Sequence, residues 1–272
     1  MNIDFHVHGL LSKRKDFNER FFNEEIEYAK QCELNGVIMC EHFNAINFKE
    51  IYKYLKENYE YKDHRYLVKG VSVFPAMEVS IKDKGHVVLV GRREAILEIH
   101  ERLEPYMNRE NLVEFKELLD LADEYGCLKI GAHPFRRGHK LCNHPEELLK
   151  RLDAIDLNAK DIFKKGEEEV RRELYELSSK IGVNVITGSD SHTPLQLGGI
   201  YTKLDNPCYT IEELRLAITS EGYSIKIEPS LNFRVYTSKI LKRYLIARTD
   251  YNKDMEFTIW IEFLGKILTR KD

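Results

Sequence analysis

No stretch of this 272-residue chain approaches the roughly 20 consecutive apolar residues that a membrane span needs. Its first residues lack the basic segment and apolar run of a secretory signal, so none is expected. The five cysteines (Cys32, Cys40, Cys127, Cys142, Cys208) include no CxxC pair. That excludes a disulfide framework and a cysteine-rich zinc site, and the expected compartment is a reducing cytoplasm. Charge of one sign is lacking as well: 42 basic residues face 45 acidic ones, a net charge of −3. Such a balance argues against non-specific coating of nucleic acid or anionic membrane, but it leaves room for a local basic pocket. No internal repeat, low-complexity tract or Pro/Gly/Ser-rich linker interrupts the chain. With 43% hydrophobic residues, the chain has enough apolar surface to bury a sizeable core, which makes disorder the wrong class.

What is present is a repeated order of short apolar runs and amphipathic stretches. Strands are expected at 2–8, 36–40, 71–81, 85–91, 127–134, 154–158, 183–192 and 223–229. Helices are expected at 22–35, 47–60, 93–103, 111–125, 144–152, 165–182 and 210–222. The turn signal KDKG at 82–85 predicts a hairpin between two of the strands. Thr210 and Glu213 have capping-box spacing. About seven β-then-α units imply a mostly parallel sheet covered by helices, and closure into a barrel suits that number better than an open sheet. Residues 230–272 change character. They hold nine Lys/Arg against five Asp/Glu and an aromatic and aliphatic set that includes Phe233, Tyr236, Tyr244, Phe257 and Trp260. The expected division is a barrel at 1–229 and a helical extension at 230–272, packed on the barrel or on a second subunit.

Ten histidines are the compositional irregularity, and their positions matter more than their number. His6 and His8 are two apart on a strand candidate, so both rings lie on one side and can reach one metal ion. His42, His133 and the pair Asp190 and His192 follow the ends of apolar runs. Glu78 lies in the third strand region, and His86 opens the next strand. In a parallel α/β barrel such strand ends form the site. His64, His100 and His144 have no such placement: a charged connection, a surface-like helix and a helix start. His139 follows two arginines in a loop and is read as exposed rather than as a substrate contact.

The segments DFHVHG at 4–9, EH at 41–42, MEVS at 77–80 with His86, AHPF at 132–135 and GSDSHTPLQLGG at 188–199 occur in the order found in one family. On these motifs the chain resembles the PHP (polymerase and histidinol phosphatase) superfamily of metal-dependent phosphoesterases. The resemblance spans residues 4–199 and implies a distorted (β/α)7 barrel with two to three divalent ions, Mn, Zn or Fe. One ion would be held by His6, His8, Glu78 and Asp190. A second would be held by Glu78, His86 and His133, and a third by His42 and His192 with a further ligand from the first motif. The family pattern there is HxHTxxSD. Ser12 fits it, but Lys13 stands where the aspartate belongs, and a protonated lysine cannot coordinate. Three outcomes are open: a weak or altered third site, which is favoured, replacement of the ligand by Asp16, or contact of Lys13 with substrate phosphate. Glu41 is expected beside a ligand rather than on the metal, and Asp4 is expected to orient a ligand histidine.

Nitrogen and oxygen ligands without thiolate suit Mn, Fe or Zn. Two ions sharing Glu78 would lie on the order of 3.5–4 Å apart, and a hydroxide bridging them would attack phosphorus in line. Glu78, Asp190 and His192 are the expected catalytic residues, with His192 or His42 available as a proton donor if not metal-bound. Arg136, Arg137 and Lys13 are the expected substrate contacts, because cationic side chains match phosphate. Asn158 ends its strand facing the site without a ligand role. The expected activity is hydrolysis of a phosphomonoester of a small metabolite or nucleotide. A nuclease or oligonucleotide phosphatase, or an inert barrel used for binding, are the alternatives.

Overall fold

The computed structural model describes residues 1–247, so Phe257, Trp260 and the rest of the tail's last apolar residues lie outside the described residues. In chain order the elements are β1 (Asn2–Val7), α1 (Glu19–Gln31), β2 (Gly36–His42), α2 (Phe48–Asn58), β3 (Tyr61–Lys62), β4 (Arg65–Val68), β5 (Val71–Ser80), β6 (His86–Val90), α3 (Arg93–Arg102) and α4 (Phe115–Glu124). They continue as β7 (Leu128–Ala132), α5 (Glu146–Leu149), β8 (Ala154–Asn158), α6 (Ala159–Lys165), α7 (Glu167–Ile181), β9 (Asn184–Gly188), β10 (Ile200–Leu204), α8 (Ile211–Thr219), β11 (Tyr223–Ile227) and α9 (Leu231–Ala247).

Seven strands form the ring in the order β1-β2-β5-β6-β7-β8-β9. A parallel bridge from Val7 to Ser191 brings its two ends together. The expected barrel is thus present as a nearly closed one. β10 and β11 extend the sheet beyond β1, and β4 pairs with β5 outside the ring. β6 is inverted, antiparallel to both β5 and β7. The inversion follows from the tight 82–85 turn, which leaves no room for a crossover helix. It also carries a functional consequence: the first residue of β6, His86, lies on the rim formed by the last residues of its neighbours, opposite Ser80 and Ala132.

One apolar cluster lines the ring with alternate residues: Ile38 and Cys40 of β2, Phe74 and Ala76 of β5, Val88 and Val90 of β6, and Leu128 and Ile130 of β7. Leu214 and Ile218 of α8 join it. Continuing the same alternation gives His42, Glu78, His86 and, on β8 above Ala154, Asp156 and Asn158. On β1 the interior residues Ile3 and Phe5 have the wrong parity for His6 and His8. A register shift against β2 between Asp4 and Val7 corrects this. A larger cluster packs the helices on the outside of the ring.

Four elements differ from expectation. The β3–β4 hairpin and β10 fall where no strand or helix is expected. α6 begins directly at the last residue of β8, where the Asn158 side chain accepts from Lys160 N and caps it. A strand that turns into a helix without an intervening loop hides the helix start. His100, expected on a surface, is buried and stacks on Phe48 at 4.1 Å. No helix among the described residues is long and apolar enough to cross a membrane.

Candidate metal centre

Glu78 is the hub. It is 2% exposed, and its two oxygens face different histidines. Oε1 lies 2.7 Å from His86 Nδ1, 3.1 Å from His133 Nε2 and 3.7 Å from His6 Nε2. Oε2 lies 2.8 Å from His42 Nδ1 and 3.7 Å from His8 Nε2. Asp190 Oδ1 is 3.4 Å from His8 Nε2 and 3.7 Å from His192 Nε2. The rings of His8 and His192 stack at 4.1 Å. All eight predicted ligands are therefore brought to one rim.

The donor set groups into triads whose ligand atoms lie within 4.8 Å of one another: Glu78–His86–His133, His6–His133–Asp190 and His8–His42–His192. The first is the set expected for one ion. The third completes His42 and His192 with His8 in place of the missing acidic residue. His6 Nε2, both nitrogens of His8 and His133 Nδ1 are buried with no hydrogen-bond partner among the described residues. Buried polar atoms without partners are rare in folded proteins, and those of His6 and His8 face Glu78, Asp190 or Glu41, so the residues fit divalent cations. Burial, followed by the charge of Arg136, pulls His133 down to about 3. Burial and the neighbouring His8 hold His192 well below its ordinary range. Both are thus neutral and have lone pairs to give. Burial also lowers His6 and His8, but Asp156 and Glu78 outweigh it at His6, which rises to about 9, and Asp190 and Glu41 outweigh it at His8, which rises to about 10. A cation that binds these two rings displaces protons.

The supporting residues explain the orientation. Asp156 Oδ2 sits 3.0 Å from His6 Nδ1, and its Oδ1 accepts from the His133 backbone N–H. Asp4, expected to orient a ring, instead accepts from the backbone N–H groups of His6 and Ser189 at 3.1 and 3.0 Å, tying β1 to the loop after β9. Glu41 accepts from Leu10 N and His42 N at 2.9 and 2.8 Å and lies 3.6 Å from His8 Nδ1. His192 Nδ1 donates to the Leu10 carbonyl at 3.2 Å, which leaves Nε2 with a lone pair and suits a ligand better than a proton donor. Cys40 lies close to His6 and His8, but burial pushes its thiol well up and it donates to the Val7 carbonyl at 3.6 Å. A protonated thiol is a poor ligand. His133 and Asp190 both adopt positive φ, 34° and 54°. Strained backbone of this kind is held in place by surrounding structure and clusters at functional sites.

A cleft of about 970 Å³ opens beside His42 and His86, and Lys13, Tyr106, Arg109 and His139 also line it.

A PHP-associated family model matches residues 169–221. PsfC from Pseudomonas syringae is similar in fold, with a TM-score of 0.73 and 21% identity over 90% of this chain and 98% of that one. The lesion-specific endonuclease PfuEndoQ from Pyrococcus furiosus has a TM-score of 0.60 and 22% identity, covering 82% of this chain but only 57% of that one. A protein from Bifidobacterium adolescentis described as a metal-dependent phosphoesterase has a TM-score of 0.50 and 13% identity, covering 81% and 96%. No curated protein matches the sequence.

Against the PHP expectations, several residues move. His139 is half-buried, with its ring 4.3 Å from that of His86. It lines the cleft and is not an exposed loop residue. Arg136 donates to Asp190 Oδ2 at 2.6 Å, Asp161 Oδ1 at 3.0 Å and Asn158 Oδ1 at 2.6 Å, so its fork is already engaged. Arg137 is exposed and does not line the cleft. Asp16 is exposed beside Asn47 and does not replace the missing ligand. Asp156 and Lys160 also belong to the site and are not among the residues expected there. Asp156 shares a strand face with Asn158, which was a usable signal. Lys160 Nζ lies 2.8 Å from Asp190 Oδ1 and is placed by the hidden helix α6.

Two expected results follow from this packing. A Cβ on Gly188 would lie 2.6 Å from His6 Cβ and 2.8 Å from Asp156 Oδ2. Gly188→Ala should therefore displace the His6 ring and weaken metal retention roughly 10-fold or more, measured by competition with a chelator. Glu25 is buried beside Ser191 Oγ at 3.2 Å, and burial raises it from 4.5 to about 8. The folded state thus holds this proton more tightly than the unfolded one, and its stabilising effect is lost as pH rises from about 4.5 to about 8. Glu25→Gln cannot titrate. In metal-stripped protein its urea midpoint should gain on the parent across that window, and a constant difference would contradict the assignment.

Proposed function

We propose that the chain is a metal-dependent phosphoric ester hydrolase that cleaves a phosphomonoester of a small metabolite or nucleotide. Two to three divalent ions, Mn, Zn or Fe, would be held by His6, His8, His42, Glu78, His86, His133, Asp190 and His192. The observation that carries this reading is Glu78, whose two oxygens each face a different histidine set within one buried cluster. Bound there, divalent ions polarise phosphoryl oxygens and supply a nucleophile at neutral pH. The chain's own residues do the rest. Lys160 and Arg136 overcome the effect of burial and keep Asp190 ionised, well below the usual carboxylate range. Asp156 fixes the His6 ring, and the Leu10 carbonyl fixes the tautomer of His192. Lys13 and Arg109 place positive charge in the cleft for the substrate's anionic group. Preorganised charge in a water-poor rim is the largest source of transition-state stabilisation available to such a site.

The completeness of the ligand set argues against an inert binding barrel. Cleavage of nucleic acid is the second reading. It is supported by the fold likeness to a DNA lesion endonuclease and by a cleft with room for a nucleotide. We also propose the division into a barrel at 1–229 and an extension at 230–272. The test is hydrolysis of a panel of phosphomonoesters, nucleotides and short oligonucleotides, with Asp190→Asn and His6→Ala alongside. Loss of activity in both variants is expected, and full activity in either refutes the assigned site.

A further inference from the structure

Helix α9 grips the loop that carries Asp190 and His192. Arg234, Ser238 and Lys242 recur every four residues and so share one face of the helix. Arg234 Nη1 donates to the Leu197 carbonyl at 2.7 Å. Ser238 Oγ lies 2.8 Å from Thr193 Oγ1 and donates to Gln196 Oε1 at 3.0 Å. Gln196 Nε2 in turn donates to the Asp190 carbonyl at 3.3 Å. One turn beyond this clamp the same face delivers Lys242, half-buried and without an ion pair among the described residues. Ser238 on that face touches Thr193 and Gln196 of the loop that carries Asp190 and His192, so Lys242 follows one turn later on the side of the helix that packs on this loop.

Asp190 is already engaged by two cations. Asp190 has one oxygen 2.6 Å from Arg136 and the other 2.8 Å from Lys160. Both oxygens of Asp190 are thus taken by other cations, Lys242 makes no ion pair among the described residues, and burial together with Lys160 pulls its ammonium down to about 8. Lys239, one turn earlier on the helix's flank, sits 4.5 Å over the Phe163 ring of α6. Neighbouring cations removed from water are costly unless an anion joins them.

Resting on the phosphoesterase reading, we infer that Lys242 and Lys160 form a phosphate-binding pair, with Lys242 touching the substrate's phosphoryl oxygens from the α9 side. The extension is then part of the substrate site as well as a prop for it. Lys13 and Arg109 serve the cleft, and Lys242 serves the phosphoryl group.

The test is the dissociation constant of inorganic phosphate for the full-length, metal-loaded chain by titration calorimetry. Lys242→Ala, Lys242→Gln and Lys242→Arg are compared with Lys226→Ala, an exposed lysine on β11. Metal content is measured on each. Lys242→Ala and Lys242→Gln should weaken phosphate binding about 10-fold with metal content unchanged. Lys242→Arg should recover most of the affinity, and Lys226→Ala should match the parent. Parental affinity in Lys242→Gln would overturn the assignment while leaving the hydrolase reading intact. A parent chain that is metal-loaded, binds no phosphate and cleaves no phosphoester would overturn both.

Discussion

Replacing Glu78 by glutamine is expected to lower kcat/KM by roughly 10³-fold or more, about 4 kcal/mol of transition-state stabilisation. The size follows from how both oxygens are used. Oε1 faces His86 and His133, and Oε2 faces His42, all within 3.1 Å. Glutamine keeps the volume but removes the charge and turns one oxygen into an NH₂ donor. That donor points at imidazole nitrogens whose lone pairs are needed for ions. Because Glu78 serves two ligand groups, the loss should appear in elemental analysis as well as in rate, and excess metal should restore only part of the rate. A variant that keeps the full metal complement and stays within 10-fold of the parent rate would show that Glu78 is not the shared ligand.

Asp156→Ala should have the second largest effect, although Asp156 belongs to none of the predicted ligand groups. Three donors converge on its carboxylate: His6 Nδ1 at 3.0 Å, the His133 backbone N–H, and Asn158 Nδ2 at 3.0 Å. Removing the carboxylate frees the ring of one ligand and the backbone of another. Losing such a support typically weakens metal affinity 10–100-fold. Each buried donor left without a partner adds about 1–3 kcal/mol of instability. Asn is no safe substitute here. One of its two positions becomes a donor facing donors, so Asp156→Asn should also fail to restore the parent. Chelator competition and thermal melting of the two variants check both parts. Metal retention equal to the parent in Asp156→Ala would remove Asp156 from the account.

Much of the site was legible because it follows strand periodicity and strand ends. Glu78 and His42 sit on the faces that alternation assigns them. His86 was legible once the short 82–85 turn was read as a hairpin, since an inverted strand brings its first residue to the others' last. The residues that support the ligands were harder to see. Asp156 contacts His6 across 150 positions of sequence, and its partner's side of the barrel depends on a register shift in β1 that composition does not announce. Lys160 lies on a helix that starts at a strand's last residue, so no loop marked it. His100 and His139 were misread for a common reason: polar neighbours in sequence suggested solvent, while packing against Phe48 and beside His86 decided otherwise. Lys242 carries no motif at all, and its place depends on the Arg234 and Ser238 contacts that seat α9 on the Asp190 loop.

The central claim is that one buried carboxylate and its histidines hold a multinuclear metal centre that hydrolyses phosphomonoesters. Counting metal per chain by elemental analysis, then following phosphomonoester hydrolysis through chelation and reloading, tests this most directly. At least two ions per chain, loss of activity on chelation and recovery on reloading with Mn, Zn or Fe are expected. Full activity with fewer than two ions per chain, or activity indifferent to chelation, would contradict it.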